Sequence, residues 1–331
     1  MSIHSITLKS FPTPSFLVMP AASISVSDES LRFLELKKGK KSIELKSYME
    51  KNLSSGVVKA GEIEKNKELI SALKEMKEEF NTKHVLLSLP EEKGYIYTTY
   101  ITPEEEGVTE DQVAFTLEKN VPFAVDEVVF DYVETGEKEK EAKEVVVMVL
   151  PKKLVEGYID VLKKVDLTPL FFEIESYSLS RAIVNAEDPR THIIVHIQKA
   201  ATNISIISRN IPRFTSTLHS GIDSLSENDP HKASLWLKEQ VDKVRSYWLS
   251  HGSQKTGEPQ TVIICGERVG DGVEKEVISS GLDMEVNIAN VWENISTFNE
   301  HVPDIPHSRS LRFGPTVGLA LKEFKRRNQL C

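Results

Sequence analysis

The chain has 331 residues, of which 40% are hydrophobic and 27% charged, so it can bury a sizeable core and its length predicts two domains or one domain with a large insertion. Its 41 basic and 50 acidic side chains leave a net charge of −9, which argues against a dedicated nucleic-acid-binding protein, since such proteins carry a basic face. Two cysteines, Cys265 and Cys331, exclude a disulfide framework and a thiolate metal site and indicate a reducing cytoplasm.

The beginning of the chain, 1–20, contains a short apolar stretch, Phe16–Met19, that Pro12, Pro14 and Pro20 interrupt. No apolar run approaches the ~20 residues of a membrane-crossing helix. We therefore predict an extended N-terminal arm and a protein that reaches a membrane only through its partners.

Strands and a β-α-β unit are predicted for the segment after the arm. Ile24–Leu36 alternates around a polar turn at Ser27–Ser30, which predicts two short strands, and Ser42–Leu53 predicts a third. A helical period marks Gly61–Phe80, and the apolar run His84–Leu89 is typical of a buried strand.

A small αβ unit follows. Tyr95–Ile101 alternates as a strand, and Thr109 begins a helix because the glutamine three residues later completes a capping box. Val128–Val133 and Glu144–Leu150 predict two antiparallel strands, joined by a solvated, charged turn over 134–143.

The rest of the chain repeats the order of its beginning. Lys153–Val165 predicts a helix, Thr168–Ile174 a strand and Ser176–Ala186 a helix, and Glu187–Arg190 is the predicted boundary between two halves. Beyond it the pattern predicts three strands, His192–Ile197, Asn203–Ser208 and Arg213–Leu218, followed by a long helix, Ala233–Ser250, and a linker, Gly252–Pro259. The last predicted elements are a strand at Thr261–Cys265, a helix at Glu274–Ser280, a strand at Met284–Asn287 and a final helix at Pro315–Lys325.

Two halves that each open with three strands and return to β-α units predict an α/β, actin-like fold. This is the duplicated, ribonuclease H-like plan that sugar kinases also use, here with a small αβ subdomain inserted in the first half. The predicted domains are an arm (1–20), a first half (21–90 and 144–190), the insertion (91–143) and a second half (191–331).

Six segments occur in one order between about Ala22 and Leu321: SSGVVKAGEIEKNKELISALKEM, VLLSLPEEKGYIYTTYI, LEKNVPFAVDEVVFDYVE, VVVMVLPKKLVEGYIDVLKKVDLTPLFFEIESYSLSRAIV, LWLKEQVDKVRSYW and FGPTVGLAL. In this combination they resemble the PilM family, the cytoplasmic actin-like proteins of the type IV pilus assembly platform, which is itself similar to the cell-division protein FtsA. The family's fold carries a small αβ subdomain in its first half, which coincides with the predicted insertion.

The resemblance locates two phosphate hairpins, which in ATP-binding members supply acidic residues for Mg²⁺ and small residues that approach the phosphate oxygens. At the first hairpin, Ser25 stands at the acidic position and Ser27 at the glycine position, and Asp28 adds negative charge where phosphates would lie. At the second hairpin, His196 and Gln198 replace the acid and the glycine.

The adenine-side motif keeps Gly266 but places Glu267 where the base would stack, and Glu175 matches the family's carboxylate between the halves. The residues that remain as candidates for binding a nucleotide in such a degenerate site are Asp28, Ser30, Glu175, Thr202, Gly221 and Gly266. We interpret the chain as a pseudo-ATPase without catalytic residues or a cofactor, with ATP and Mg²⁺ as the ligands if any nucleotide binds.

The residues themselves also favour simpler roles. His196 is predicted to be a hydrogen-bonded structural histidine, Cys265 an apolar filler, Asp28 and Ser30 turn formers, and Glu175 a hydrogen-bonding residue between the halves. The remaining histidines have no spacing that predicts a metal site.

The resemblance implies a cytoplasmic scaffold of a type IV pilus-like machine at the inner membrane. PilM binds the N-terminal cytoplasmic peptide of the membrane protein PilN in a groove between the first-half core and the insertion, which here implies walls from about Gly61–Pro90 and Tyr95–Tyr132. Pilus motor or platform proteins and homo-oligomers are further expected partners.

Two alternatives stay open. An active actin-like ATPase, whose nucleotide state switches partner binding, needs Asp28, Glu175 or another carboxylate to hold Mg²⁺ in place of the lost acids. An FtsA-like filament protein needs a C-terminal membrane anchor, and the small apolar face of Leu321–Leu330 favours a solvated helix end instead.

Overall fold

The computed structural model describes residues 21–330 except 40–42, 81, 91, 105–106, 221–228, 252–256, 268, 270–274 and 296–304. Within these residues, no helix combines the length and the apolar character of a membrane span. The predicted arm at 1–20, Gly221 and most of the predicted linker at 252–259 lie outside the described residues.

A five-stranded sheet forms the centre of the first half. It joins an antiparallel meander to two strands that run parallel to β1, in the order β10-β6-β1-β2-β3. Its strands are Ala21–Val26 (β1), Ser30–Lys38 (β2), Ile43–Asn52 (β3), His84–Leu89 (β6) and Thr168–Ile174 (β10), and helices Asn66–Phe80 (α1) and Lys152–Lys164 (α3) pack into the same apolar core.

The second half repeats this plan. Its sheet has the order β13-β12-β11-β14-β15, again with an antiparallel meander followed by two parallel strands. The strands are Thr191–Ile197 (β11), Thr202–Ser208 (β12), Ile211–Leu218 (β13), Pro259–Gly266 (β14) and Glu285–Ile288 (β15), and helices Pro230–His251 (α5) and Lys275–Ser279 (α6) accompany them. Every residue of β11 and β12 is buried, as expected for strands covered on both faces.

The insertion is a three-stranded antiparallel sheet with one helix and its own apolar core. Its elements are Tyr95–Ile101 (β7), Glu110–Asn120 (α2), Val128–Glu139 (β8) and Ala142–Pro151 (β9), in the strand order β7-β9-β8. The Thr109 capping box is present as predicted. Because β9 pairs along its length with β7 and β8, the expected domain boundary at 143 falls inside this strand.

Two local predictions were wrong. The charged segment 134–143 is mostly strand, because β8 and β9 continue to pair out to Glu139 and Ala142. The helix predicted from Gly61 begins at Asn66, because a small hairpin of Val58–Lys59 (β4) and Glu62–Ile63 (β5) precedes it.

Two crossing helices connect the halves. Glu175–Ile183 (α4) packs against β13, and Gly314–Leu330 (α8) packs against α4, β1 and β2. A Cβ atom on Gly318 would lie 1.7 Å from the carbonyl oxygen of Ser178, so this crossing requires glycine. A short helix, His307–Ser310 (α7), and a 3₁₀ turn, Leu311–Phe313, lead into α8.

Candidate functional site

The fold brings the two predicted phosphate hairpins together at the cleft between the halves. The turn after β1, with Asp28 and Ser30, faces the turn after β11, with Gln198 and Lys199, and Glu267 at the end of β14 borders the same space. Of the predicted site residues that the structure describes, Asp28 and Ser30 line this space and Glu175, Thr202 and Gly266 do not.

Asp28 and Ser30 already have intramolecular hydrogen bonds. The Asp28 carboxylate accepts the backbone N–H groups of Ala60 at 2.9 Å and Gly61 at 3.2 Å. Both donors have positive φ angles, 48° and 77°, in the turn between β4 and β5. Ser30 Oγ lies 2.8 Å from Ser27 Oγ within the β1–β2 turn. These bonds hold two loops in place.

Glu175 begins α4 and points toward the second half. Its carboxylate accepts hydrogen bonds from Gln198 Nε2 at 2.9 Å and Asn203 Nδ2 at 3.1 Å, and His196 Nδ1 lies 3.4 Å away. Only 4% of Glu175 is exposed. A buried carboxylate with this set of partners joins α4 to β11 and β12.

Thr202 and Gly266, the other predicted site residues that the structure describes, have structural contacts. The buried Thr202 hydroxyl donates to the carbonyl oxygen of Ser220 at 2.7 Å. Gly266 has a φ of +113°, and a Cβ there would lie 2.0 Å from the Ile197 carbonyl oxygen. Gly266 is therefore required for the close approach of β14 and β11.

A network of charged side chains crosses the cleft. Arg32 on β2 donates to Glu50 Oε1 on β3 at 2.9 Å and to Glu267 Oε1 in the second half at 2.5 Å. Arg312 lies 2.9 Å from the other oxygen of Glu267 and 3.8 Å from Glu50. The side chains of Arg32, Glu50 and Glu267 are each at most 10% exposed. Charge pairs thus connect the halves directly.

The described residues of the two hairpin turns leave little open space between them. Lys199 in the second hairpin pairs with Glu29 in the first at 3.6 Å, so the two turns that would hold phosphates bind each other. The volume open to the centre of a water molecule is about 10 Å³, which is room for about one water. With serine and histidine at the two acidic positions, the described residues do not fit a Mg-nucleotide.

Glu92 adds a protonation-sensitive group at the edge of the cleft. Burial and, to a smaller extent, the negative charges of Asp28 and Glu175 together raise its pKa to about 7. His219 Nδ1 lies 3.9 Å from the Glu92 carboxylate. The local field is therefore negative on this side, which disfavours another anion.

A second candidate site is a groove of about 250 Å³ between the insertion and the first half. Val129–Asp131 of β8 and Phe172–Ile174 of β10 line it, and both strands are edge strands among the described residues. Because neighbouring side chains of a strand point to opposite faces, three consecutive lining residues indicate that the strand edges border the groove. Met148, Leu150 and Val155 give it an apolar floor.

Glu173 and Lys322, two of the three charged side chains that line the groove, are paired with each other. Glu173 accepts hydrogen bonds from Arg181 at 2.6 and 2.9 Å and from Lys322 at 2.8 Å. Burial by itself raises the pKa of Glu173, but the two cations outweigh it and hold the pKa below its usual value. An apolar floor with paired charges suits an extended apolar segment.

The walls of this groove differ from those that the resemblance implied. No described residue of 61–90 lines it, because β6 is an interior strand and β10 occupies the edge beside the insertion. Val129–Asp131 does fall within the expected 95–132 wall.

The charge network at the cleft was not predicted from the sequence. Arg32 lies directly opposite Glu50 in the β2–β3 pair, so the alternation of the two strands carried a signal for that contact. Glu267 is 235 positions away from Arg32 in the chain and carried no such signal.

Comparisons with known proteins place the chain in a family. A family model described as type IV pilus assembly protein PilM matches residues 23–228, more than half of the chain. Among solved structures, a PilM–PilN type IV pilus biogenesis complex matches with a TM-score of 0.77 and 15% identity, covering 92% of this chain and 99% of that chain. The search of curated proteins finds no match.

Two further solved structures match with lower TM-scores. Ethanolamine utilization protein EutJ from Carboxydothermus hydrogenoformans matches with a TM-score of 0.50 and 12% identity, over 96% of this chain and 97% of that chain. The cytoplasmic domain of EpsL, an inner-membrane component of the type II secretion system of Vibrio cholerae, has a TM-score of 0.47 and 12% identity, with coverages of 92% and 94%. The fold is actin-like, as predicted.

Proposed function

The chain belongs to the PilM family of type IV pilus assembly proteins, and we propose that it is a cytoplasmic scaffold that binds the N-terminal peptide of a PilN-like membrane protein. The similar solved chain is described as part of a PilM–PilN complex, which supports a partner of this kind. The observation that carries the proposal is the apolar groove between two strand edges.

In this proposal the peptide lies extended between β8 and β10. Each edge strand offers backbone N–H and C=O groups, to which an extended segment adds as a further strand. Alternate side chains of the peptide then reach the apolar floor at Met148 and Leu150. Backbone pairing supplies affinity and the floor supplies selectivity for apolar side chains.

We also propose that the protein works as a pseudo-ATPase, with charge pairs in place of a nucleotide between the halves. The Arg32–Glu267 pair and the Lys199–Glu29 pair support this, because both span the space that a Mg-nucleotide would need. Partner binding in this account does not depend on nucleotide.

The groove is tested by calorimetric titration with a synthetic peptide that carries the N-terminal cytoplasmic sequence of the PilN-like protein from the same organism. Val129 is 38% exposed at the groove edge, and Val129→Asp is expected to weaken binding by about tenfold or more, because its carboxylate would lose water against an apolar floor. Phe115→Asp is the matched control, since Phe115 is 76% exposed on α2 outside the groove. Unchanged binding by Val129→Asp, or equal losses in both variants, would contradict the assignment.

A further inference from the structure

The second half has an open cavity of about 620 Å³ that shares no lining residue with the cleft or the groove. It lies beyond the end of α4, on the face of the sheet where β11, β14 and β15 pair. Its floor includes His192 and its cross-strand neighbour Thr261, and its sides include the loop after α4 and the segment after β15. The size falls within the range of about 300 to 1,000 Å³ that is common for ligand sites.

A buried imidazole in the floor has a nitrogen without a hydrogen-bond partner. His192 is 2% exposed, its Nδ1 lies 2.5 Å from Thr261 Oγ1, and its Nε2 has no hydrogen-bond partner among the described residues. The nearest charged atom, Asp188 Oδ2, is 3.7 Å from Nε2. Burial lowers the pKa of His192, so the ring is neutral near pH 7, and in the tautomer whose Nδ1–H donates to Thr261 Oγ1 the lone pair lies on Nε2.

More carboxylate side chains than cationic side chains line the cavity. Arg190 is fully engaged, because it pairs with Asp188 at 2.7 Å and with Glu285 at 3.4 Å. Glu187 and Glu293 line the cavity at exposed positions, and no cation among the described residues lies within ion-pair distance of either. The cavity therefore offers carboxylates at its mouth and an unpaired imidazole nitrogen in its floor.

We propose that this cavity binds the arginine side chain of an extended basic segment from a partner protein. A guanidinium group presents five N–H donors in a planar fork, which matches two carboxylates and one imidazole acceptor better than a single ammonium does. The aliphatic stem of arginine fits the apolar part of the lining, at Ile263 and Ile288. β15 is the edge strand of its sheet in the described part of the chain and offers the backbone of such a segment a place to pair.

The test follows the ring signals of His192 by NMR in the full chain during titration with Nα-acetyl-arginine methylamide. The expected result is a saturable shift, with no such shift for the citrulline analogue, which has the same shape without the charge. A Val-Arg-Val peptide is expected to bind more tightly than the single-residue compound. A Glu187→Gln/Glu293→Gln double variant is expected to lose about tenfold in affinity for both.

The matched control is Glu156→Gln/Glu239→Gln, which makes the same charge change at exposed positions outside the cavity. It is expected to bind like the unmodified chain. Equal shifts with the citrulline analogue, no saturation with the arginine compound, or unchanged affinity in the Glu187/Glu293 variant would each overturn the proposal. A tripeptide no tighter than the single residue would overturn pairing at β15.

Discussion

Arg32 connects carboxylates from both halves of the molecule in a place where water is nearly excluded. Glu50 comes from the neighbouring strand and Glu267 from the end of β14, and both bond to the same guanidinium. A guanidinium suits this position because its fork serves two carboxylates at once. Without it, two buried negative charges would remain, and the other cations that the described residues place near them are Arg312 and Arg309.

Replacing Arg32 by methionine therefore tests the network. Arg32→Met is expected to lower the free energy of unfolding by about 3 to 5 kcal/mol, because it leaves Glu50 and Glu267 buried with incomplete pairing. Urea denaturation measures the change. Arg190→Met, which removes an arginine with a 45% exposed side chain, is the control and is expected to cost less than about 1 kcal/mol. Similar losses in the two variants would mean that the cleft network has no special role.

Glu92 makes stability depend on pH in a direction opposite to that of most carboxyl groups. Its pKa is about 7 in the folded protein, against the ordinary value of 4.5 that applies to the unfolded chain. Between these two pH values the folded protein therefore binds more protons at this group than the unfolded chain does. Stability from this group is therefore lost as pH rises from about 4.5 to about 7. Glu92→Gln is expected to flatten this part of the melting temperature profile and to raise the melting temperature above pH 7. An unchanged slope in the variant would assign the pH dependence to other groups.

At the scale of the elements, periodicity and capping predicted most strands and helices. His84–Leu89 and Tyr95–Ile101 have the predicted bounds, and the Thr109 capping box begins α2 as expected. The charged end of β8 was missed because its exposed side chains carry no burial pattern and only pairing with β9 makes it a strand. Local sequence has no access to that pairing.

The candidate sites also have features that the local sequence predicts and features that it does not. The position of Asp28 and Ser30 in the first turn followed from hairpin chemistry, and the turn does face the cleft. The closure of the cleft by Glu267 and the groove at β10 were not predictable, because both depend on contacts between distant parts of the chain. The positions of the loops could be predicted from the local sequence. Their contacts could not, because these depend on how the two halves pack together.

The crossing of α4 and α8 is an element-scale feature with a direct test. Gly318→Ala would place a methyl group 1.7 Å from the Ser178 carbonyl oxygen, so the helices must separate, and a loss of about 1 to 3 kcal/mol or more in unfolding free energy is expected. Gly157→Ala on α3 is the control, because its Cβ would meet no atom closer than 4.0 Å and alanine favours a helix by about 0.5 to 1 kcal/mol. Thermal and urea unfolding of both variants should therefore move in opposite directions. Equal behaviour would show that the crossing relaxes without cost.

At the scale of the whole molecule, buried polar contacts join all three units. Ser25 Oγ in the first half lies 2.8 Å from Thr316 Oγ1 on α8, and Arg32 bonds to Glu267. The insertion is joined to the second half by Arg213 and Glu144, 2.6 Å apart with side chains 2% and 0% exposed. These contacts connect the insertion, which carries β8, and the first half, which carries β10, to the second half.

We propose that this charge-paired molecule binds its peptide partner independently of nucleotide. One calorimetric experiment tests it directly: titration of the unmodified chain with the PilN-like N-terminal peptide, first without nucleotide and then with millimolar Mg-ATP. We expect one binding site with the same dissociation constant in both titrations, and no heat of binding from Mg-ATP alone. Peptide binding that requires Mg-ATP, or a dissociation constant that shifts by about tenfold or more in its presence, would contradict it.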